Sequence, residues 1–251
     1  MTAFERARQR ADRFEGMMGP ISIGLFEAFL ELQLKSGVHG NMVEYGVYRG
    51  RSAAVALSKL RASERMMLVD AAVKYPEFVK LKSINPNFDF IEGKSEQLVD
   101  DDRLRAFLEA GVRFSHHDAS HFYDNVAAEM ALMEPFILPR GLMVLDDFGN
   151  PSYMQVVAAC FHHLARTDCN LEVFLYANNK AYLCRKEDFE FYAGFVLEKM
   201  LPRLHAVGLN VYLSRTDNNA RYRGFSIALK SKATDDDLYG LSFFGDRFYQ
   251  L

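Results

Sequence analysis

The feature that most restricts how this 251-residue chain can fold is an alternation of short apolar runs with amphipathic stretches. Met42–Val47, Arg65–Asp70, Phe88–Glu92, Val112–His117 and Gly141–Asp147 read as strands. Ser52–Leu60, Tyr123–Phe136 and Tyr153–Ala165 read as helices, the second ended by a turn at Pro139-Arg140-Gly141. Strands separated by helix-length connections pack as a parallel sheet with helices on both faces. Glu172–Ala177 and Ala181–Arg185 add a hairpin around Asn178-Asn179, which brings the expected sheet to seven strands.

Two helices precede this alternation: charge-rich Ala3–Met18, interrupted by Gly19-Pro20, and Ile21–Lys35, whose Ile21, Leu25, Phe29 and Leu32 predict one buried face. Beyond Lys186 the chain predicts a helix at Phe189–His205 and a second hairpin, Asn210–Arg215 with Arg223–Lys230, around Asp217-Asn218-Asn219. The expected organisation is therefore an N-terminal helical segment at 1–40, a core at 41–186 and a C-terminal elaboration at 187–251. Tyr212, Tyr222, Phe225, Phe243, Phe244, Phe248 and Tyr249 in that elaboration offer a pocket lining or, as aromatics more often do, core or interface. The N-terminal helices and the aromatic closing segment, Leu238–Leu251, are the candidate interface of an expected homo-oligomer.

Thirty basic against 33 acidic side chains leave a net charge of -3, so neither nucleic acid nor an anionic membrane is an expected partner. No apolar run approaches the ~20 residues of a spanning helix, and Met1–Arg13 lacks the apolar stretch of a signal peptide. Cys160, Cys169 and Cys184 are odd in number and show no CxxC spacing, as in a cytoplasmic protein with reduced thiols.

Chemistry concentrates where strands end. Met42 to Ser52, M-V-E-Y-G-V-Y-R-G-R-S, runs from the first strand into a helix. Gly46 permits a tight turn, Gly50 a close approach, and the helix entered at Ser52 presents free N–H groups. Glycine spacing alone also fits a strand–helix turn that binds nothing. Tyr48 stands two after Gly46, so the dinucleotide pattern G-x-G-x-x-G is absent. Asp70 closes the second strand, where a carboxylate accepts the hydrogen bonds of a ribose diol or caps a turn. Glu92-Gly93-Lys94-Ser95 follows the third strand, with Gly93 and Ser95 as further ligand contacts or as an ordinary helix entry.

The fourth strand ends in Asp118-Ala119-Ser120-His121-Phe122-Tyr123 and the fifth in Asp146-Asp147. In an open parallel sheet, ligands bind beyond the carboxyl ends of the strands, where strand order reverses. Carboxylates converging there raise one another's pKa, a penalty removed by a hard divalent cation such as Mg²⁺ or Mn²⁺. Taken alone, Asp146-Asp147 also reads as a turn and helix cap. His116 and His117 project to opposite sheet faces and read as structural.

The loop E-x-G-x-x-x-G resembles the first motif of class I S-adenosylmethionine-dependent methyltransferases. More narrowly, E-Y-G-V-Y-R-G-R-S resembles the branch containing macrocin O-methyltransferase and related sugar and antibiotic tailoring enzymes. D-A-S-H-F-Y followed by L-P-R-G-L-M-V-L-D-D resembles that branch's D-G-x-H-x-Y and P-G-G-x-x-x-x-D-D blocks, with Ala119 and Arg140 replacing glycines. The resemblance spans about residues 20–185. It implies a Rossmann-like, doubly wound α/β fold that binds S-adenosylmethionine through Glu44, Gly46, Tyr48, Gly50, Ser52, Asp70, Gly93 and Ser95. It also implies metal ligation by Asp118, Asp146 and Asp147, a catalytic part for Asp118, and His121 as base. The implied reaction is methyl transfer to a hydroxyl of a small molecule, a sugar on a glycosylated metabolite before a phenol or catechol. A non-catalytic cofactor-binding subunit is the reading from another class, and Tyr48 within the glycine loop disfavours a nicotinamide oxidoreductase.

Overall fold

The computed structural model describes residues 1–72, 75–215, 223–230 and 238–239. Helices α1 (Ala3–Ala11) and α2 (Pro20–Lys35) lead into β1 (Asn41–Tyr45), α3 (Arg51–Leu57), β2 (Met66–Asp70), α4 (Tyr75–Lys82) and β3 (Phe88–Glu92). There follow α5 (Asp102–Leu108), β4 (Val112–His117), α6 (Tyr123–Met133), β5 (Ile137–Leu145), α7 (Met154–Leu164), β6 (Leu171–Ala177) and β7 (Lys180–Arg185). The chain continues through α8 (Phe189–Phe195), a π turn, α9 (Leu201–His205), β8 (Val211–Arg215), β9 (Phe225–Leu229) and β10 (Leu238–Tyr239).

The fold is a Rossmann-like α/β sheet with helices on both faces. The seven expected strands form in the order β6-β7-β5-β4-β1-β2-β3. β1 to β5 are mutually parallel, and β7 runs antiparallel to β5 and β6. The second hairpin adds to the same sheet: β9 pairs with β6, and β8 and β10 continue it to ten strands. That pairing covers an edge of β6 whose backbone donors and acceptors would otherwise lie open.

Alternation along each buried strand divides the core. Met42, Leu68, Phe114 and Val144 pack toward α2, α3 and α8, and Val43, Met67 and Met143 pack toward α5, α6 and α7. Helix α2 exceeds the one-faced burial expected of it, since every residue from Ile21 to Leu30 is buried. It lies between the sheet and α1, α3 and α9, so its apolar surface is already covered within its own chain. Its buried Glu27 is paired with Lys59 at 3.0 Å and Arg203 at 2.9 Å.

Two local expectations are corrected. α1 stops at Ala11, short of Met18, because the Arg51 guanidinium takes the carbonyls of Ala11, Phe14 and Met18 at 3.1, 3.0 and 2.9 Å. Pro139-Arg140-Gly141 is a bulge inside β5 instead of a turn before it, with Arg140 at φ 58°. The bulge's polar groups go to side chains: Arg140 N donates to Asp188 at 2.6 Å, and Arg140 O accepts from Gln33 at 3.0 Å. No helix among the described residues is long and apolar enough to cross a membrane. The three cysteines are buried and free.

Candidate active site

A cavity of about 1070 Å³ opens at the carboxyl ends of the parallel strands, walled by the loops after β1 to β5, the β6–β7 turn and the stretch Glu15–Met18. It lies at the β1/β4 boundary, where strand order reverses.

Gly46, at φ 80°, is required by contact: a Cβ there would lie 2.0 Å from the carbonyl oxygen of Asp118. The loop after β1 therefore runs directly against the loop after β4. Tyr48, at φ 50° and half exposed, donates its N–H to Asp70 Oδ2 at 2.7 Å, while Asp70 Oδ1 accepts from Ala72 N at 3.0 Å. The Asp70 carboxylate thus holds the loop's shape and still faces the cavity. Gly93 N donates to Asp70 O at 2.9 Å, which brings the loop after β3 to the same wall. There Ser95 Oγ is buried without a hydrogen-bond partner among the described residues. An orphaned buried hydroxyl carries a desolvation cost that a polar ligand relieves.

Two of the expected cofactor contacts stand elsewhere. Gly50, at φ 86°, caps α3 and packs on Leu81, away from the cavity wall. Glu44 is buried beneath the loop, where its Oε1 accepts from Ser52 Oγ, a wall residue, and lies 3.1 Å from His116 Nδ1. Burial pushes the Glu44 carboxyl up to about 8, against the Ser52 hydrogen bond. Burial, helped by Lys180, pulls His116 down to about 4. The pair is accordingly neutral between those values.

The acids stand where the strand ladders extend past their ends. Asp118 N donates to Tyr45 O at 2.8 Å and Asp146 N to His117 O at 2.9 Å. Donor atoms of His116, Asp118 and Asp146 all lie within 4.8 Å of one another. Asp147 is turned to a different task by its φ of 51°: its Oδ1 accepts from Asn150 Nδ2 at 2.9 Å and Asn179 Nδ2 at 2.8 Å. Asp147 Oδ2 faces His121 Nε2 at 3.2 Å, with Asp118 Oδ1 at 3.7 Å, and the Tyr153 ring lies over the imidazole at 4.5 Å. Burial and Asp146 raise Asp118 to about 6, opposed by His121. Burial opposes ionisation of Asp146 too, but the adjacent Lys180 outweighs it and holds that carboxyl well below its usual range. For His121, burial favours the neutral ring, but Asp118 and Asp147 prevail and raise its pKa.

Sequence reasoning missed Lys180, His116 and Asn179. The Lys180 side chain is buried, with Nζ 2.5 Å from Asp146 Oδ2 and 3.2 Å from His116 Nε2. The one signal was a lysine beside the Asn178-Asn179 turn, heading the apolar run Ala181–Cys184. His117 faces the other side of the sheet, bonded to Glu129 at 3.0 Å and Ser115 at 3.1 Å. That Ser–His–Glu order is buried throughout and does not reach the cavity. Of the aromatics in the C-terminal elaboration, Phe225 is core and Tyr212 lies on β8 away from the cavity. Tyr222, Phe243, Phe244, Phe248 and Tyr249, with the Asp217-Asn218-Asn219 turn, lie outside the described residues.

The order of the first seven strands, the reversal of β7 among them and a cavity at the glycine loop define the class I methyltransferase architecture. Residues 43–148 match the family model described as a methyltransferase domain. Residues 43–148 are thus a methyltransferase domain, carried on a Rossmann-like α/β fold. No curated protein matches it by sequence. Among solved structures it is similar to CalS11, a TDP-rhamnose 3′-O-methyltransferase of calicheamicin biosynthesis, at 14% identity and TM-score 0.52, covering 74% of this chain and 93% of that one. It is similar to an O-methyltransferase from Bacillus cereus in complex with S-adenosylhomocysteine, at 14% identity and TM-score 0.53, covering 73% and 90%. MycE of the mycinamycin pathway, in complex with Mg and S-adenosylhomocysteine, is similar at 15% identity and TM-score 0.51, covering 73% of this chain and 55% of MycE.

Proposed function

We propose that the chain transfers the methyl group of S-adenosylmethionine to a hydroxyl of a small molecule, a sugar hydroxyl on a glycosylated natural product. The observation that carries this is His121, flanked by Asp147 and Asp118 and facing the cavity that Asp70 and Ser95 wall. Bound there, S-adenosylmethionine supplies an electrophilic methyl on a sulfonium, so the chain must position an oxygen and remove its proton. Asp70 and Ser95 offer hydrogen bonds to the nucleoside part. His121 accepts the hydroxyl proton, and the carboxylates of Asp118 and Asp147 stabilise the imidazolium that results. Tyr153 restrains the ring from its other face.

Asp118, Asp146 and His116 also fit a divalent cation in donor chemistry, two carboxylates and a neutral imidazole within 4.8 Å. Bound there, Mg²⁺ or Mn²⁺ lowers the pKa of an acceptor hydroxyl. Asp147 is then the carboxylate that orients His121. Exposed Met17, Tyr48, Phe122 and Tyr153 rim the cavity and offer apolar faces to the body of an acceptor. That aromatic rim favours a second reading, the same chemistry on a phenol or catechol.

CalS11 is described as acting on a TDP-sugar, which supports the sugar reading. The buried free thiols support a reducing, cytoplasmic setting. A homo-oligomer remains part of the proposal, with its interface drawn from surfaces other than α2, which is covered within its own chain. The test is S-adenosylhomocysteine release on a panel of glycosylated and phenolic acceptors, with and without chelator. Release with a glycoside, abolished by chelation and restored by Mg²⁺ or Mn²⁺, supports the proposal. S-adenosylhomocysteine binding without turnover on any acceptor would favour the non-catalytic subunit instead.

A further inference from the structure

The ammonium of Lys180 stands within bonding distance of two of the three donors in the His116–Asp118–Asp146 cluster. It takes up Asp146 Oδ2 at 2.5 Å, while Asp146 Oδ1 already accepts from Asp147 N at 2.8 Å. An ammonium only donates, so the 3.2 Å contact makes His116 Nε2 an acceptor and leaves the ring proton on Nδ1, toward Glu44. Neutral imidazole has one lone pair to give, and Lys180 has it.

Lys180 is also fixed from behind. It follows Asn178 and Asn179, both at positive φ, in the turn between β6 and β7. Asn178 Nδ2 donates to Ser22 Oγ of α2 at 2.7 Å, and Asn179 Nδ2 donates to Asp147 at 2.8 Å. Three successive residues of one turn thus hold α2, Asp147 and Asp146.

We propose that Lys180 is the resident cation of this cluster and sets its threshold for divalent ions, which enter only as the ammonium leaves Asp146 and His116. The proposal rests on the reading of Asp118, Asp146 and His116 as a cation site. Like charges a few ångströms apart in a partly buried site repel strongly, and the ion needs the lone pairs that Lys180 uses. Lys180 is therefore a positioning residue: in the absence of an ion it holds Asp146 and His116 in place.

The test is Mn²⁺ binding to the full chain, read from the loss of the free-ion paramagnetic resonance signal, with no turnover involved. Lys180→Met and Lys180→Gln should bind Mn²⁺ about tenfold or more tightly than the parent, and Lys180→Arg should stay weak. Binding of S-adenosylhomocysteine and an unchanged melting temperature identify the folded variants. In the parent chain, mass spectrometry should show Lys180 becoming reactive to an amine acylating reagent as Mn²⁺ is added. Equal or weaker Mn²⁺ binding by the folded neutral variants would overturn the role of Lys180 while leaving the cation site standing. So would Mn²⁺ binding to the parent with no change in Lys180 labelling. Mn²⁺ binding by none of the proteins would overturn the cation site itself, and the proposal with it.

Discussion

Gly46→Ala should damage cofactor binding and catalysis together, for a reason visible in three contacts. The new Cβ would lie 2.0 Å from Asp118 O, 2.3 Å from Asp118 C and 2.5 Å from Ala119 N, whereas ordinary contact begins near 3.4 Å. All three are backbone atoms, so no side chain can swing aside, and the loops after β1 and β4 must part by more than an ångström. A non-glycine residue at φ 80° adds about 1–2 kcal/mol of left-handed strain. Asp118 then moves relative to Asp146 and His121, and a misplacement of about 1 Å costs roughly 10²-fold in rate. Gly50→Ala supplies the control: its φ is 86°, so the backbone strain is similar, but its Cβ meets only the Leu81 side chain at 3.0 Å. Melting temperature, S-adenosylhomocysteine titration and turnover should therefore separate the two variants, with Gly50→Ala losing stability and keeping most of its rate. If Gly46→Ala turned over within about twofold of the parent, the loop–loop contact would not be what aligns Asp118.

His121→Ala should bind S-adenosylhomocysteine normally and lose ~10²–10⁴-fold in rate, measured at saturating cofactor. Asp70→Ala removes both the proposed diol acceptor and the anchor of Tyr48 N, so its S-adenosylhomocysteine affinity should fall by about 1.5–3 kcal/mol in calorimetry; unchanged affinity would remove Asp70 from the site. Arg113→Met removes one of the two guanidinium partners of the buried Glu64, at 2.9 Å, and leaves Arg61 at 2.7 Å as the other, so it should cost about 1–3 kcal/mol in urea unfolding. Burial opposes the ionisation of Glu64, but Arg113 and Arg61 prevail and hold its pKa below normal, so its stabilisation is present above the unfolded carboxylate pKa and is lost as pH falls through the lower, folded value. The parent's stability should show that acid-side loss, and the Arg113→Met variant should show less of it.

The elements that place the site were legible because strand ends carry local signals: a glycine before a helix, an acid closing an apolar run. Gly46, Asp70, Asp118, His121 and Asp146 stand around the cavity for that reason. What was not legible is orientation. β1 is buried on both faces, so its period gave no mark that Glu44 lies beneath the loop and not on the wall. Gly46 and Gly50 share a positive φ and differ only in what lies beside them, a backbone carbonyl for one and a leucine side chain for the other. Asp146 and Asp147 are adjacent, yet one backbone rotation into the left-handed region sends them to different partners. Lys180 and His116 are farther still from any local rule. Their meeting depends on β7 reversing beside β5, which carries the first residue of β7 to the ends of β4 and β5, 64 residues from His116 and 34 from Asp146 along the chain. A lysine read from its neighbours alone is a solvated charge. Placed by topology against an aspartate and a histidine, it becomes part of the chemistry.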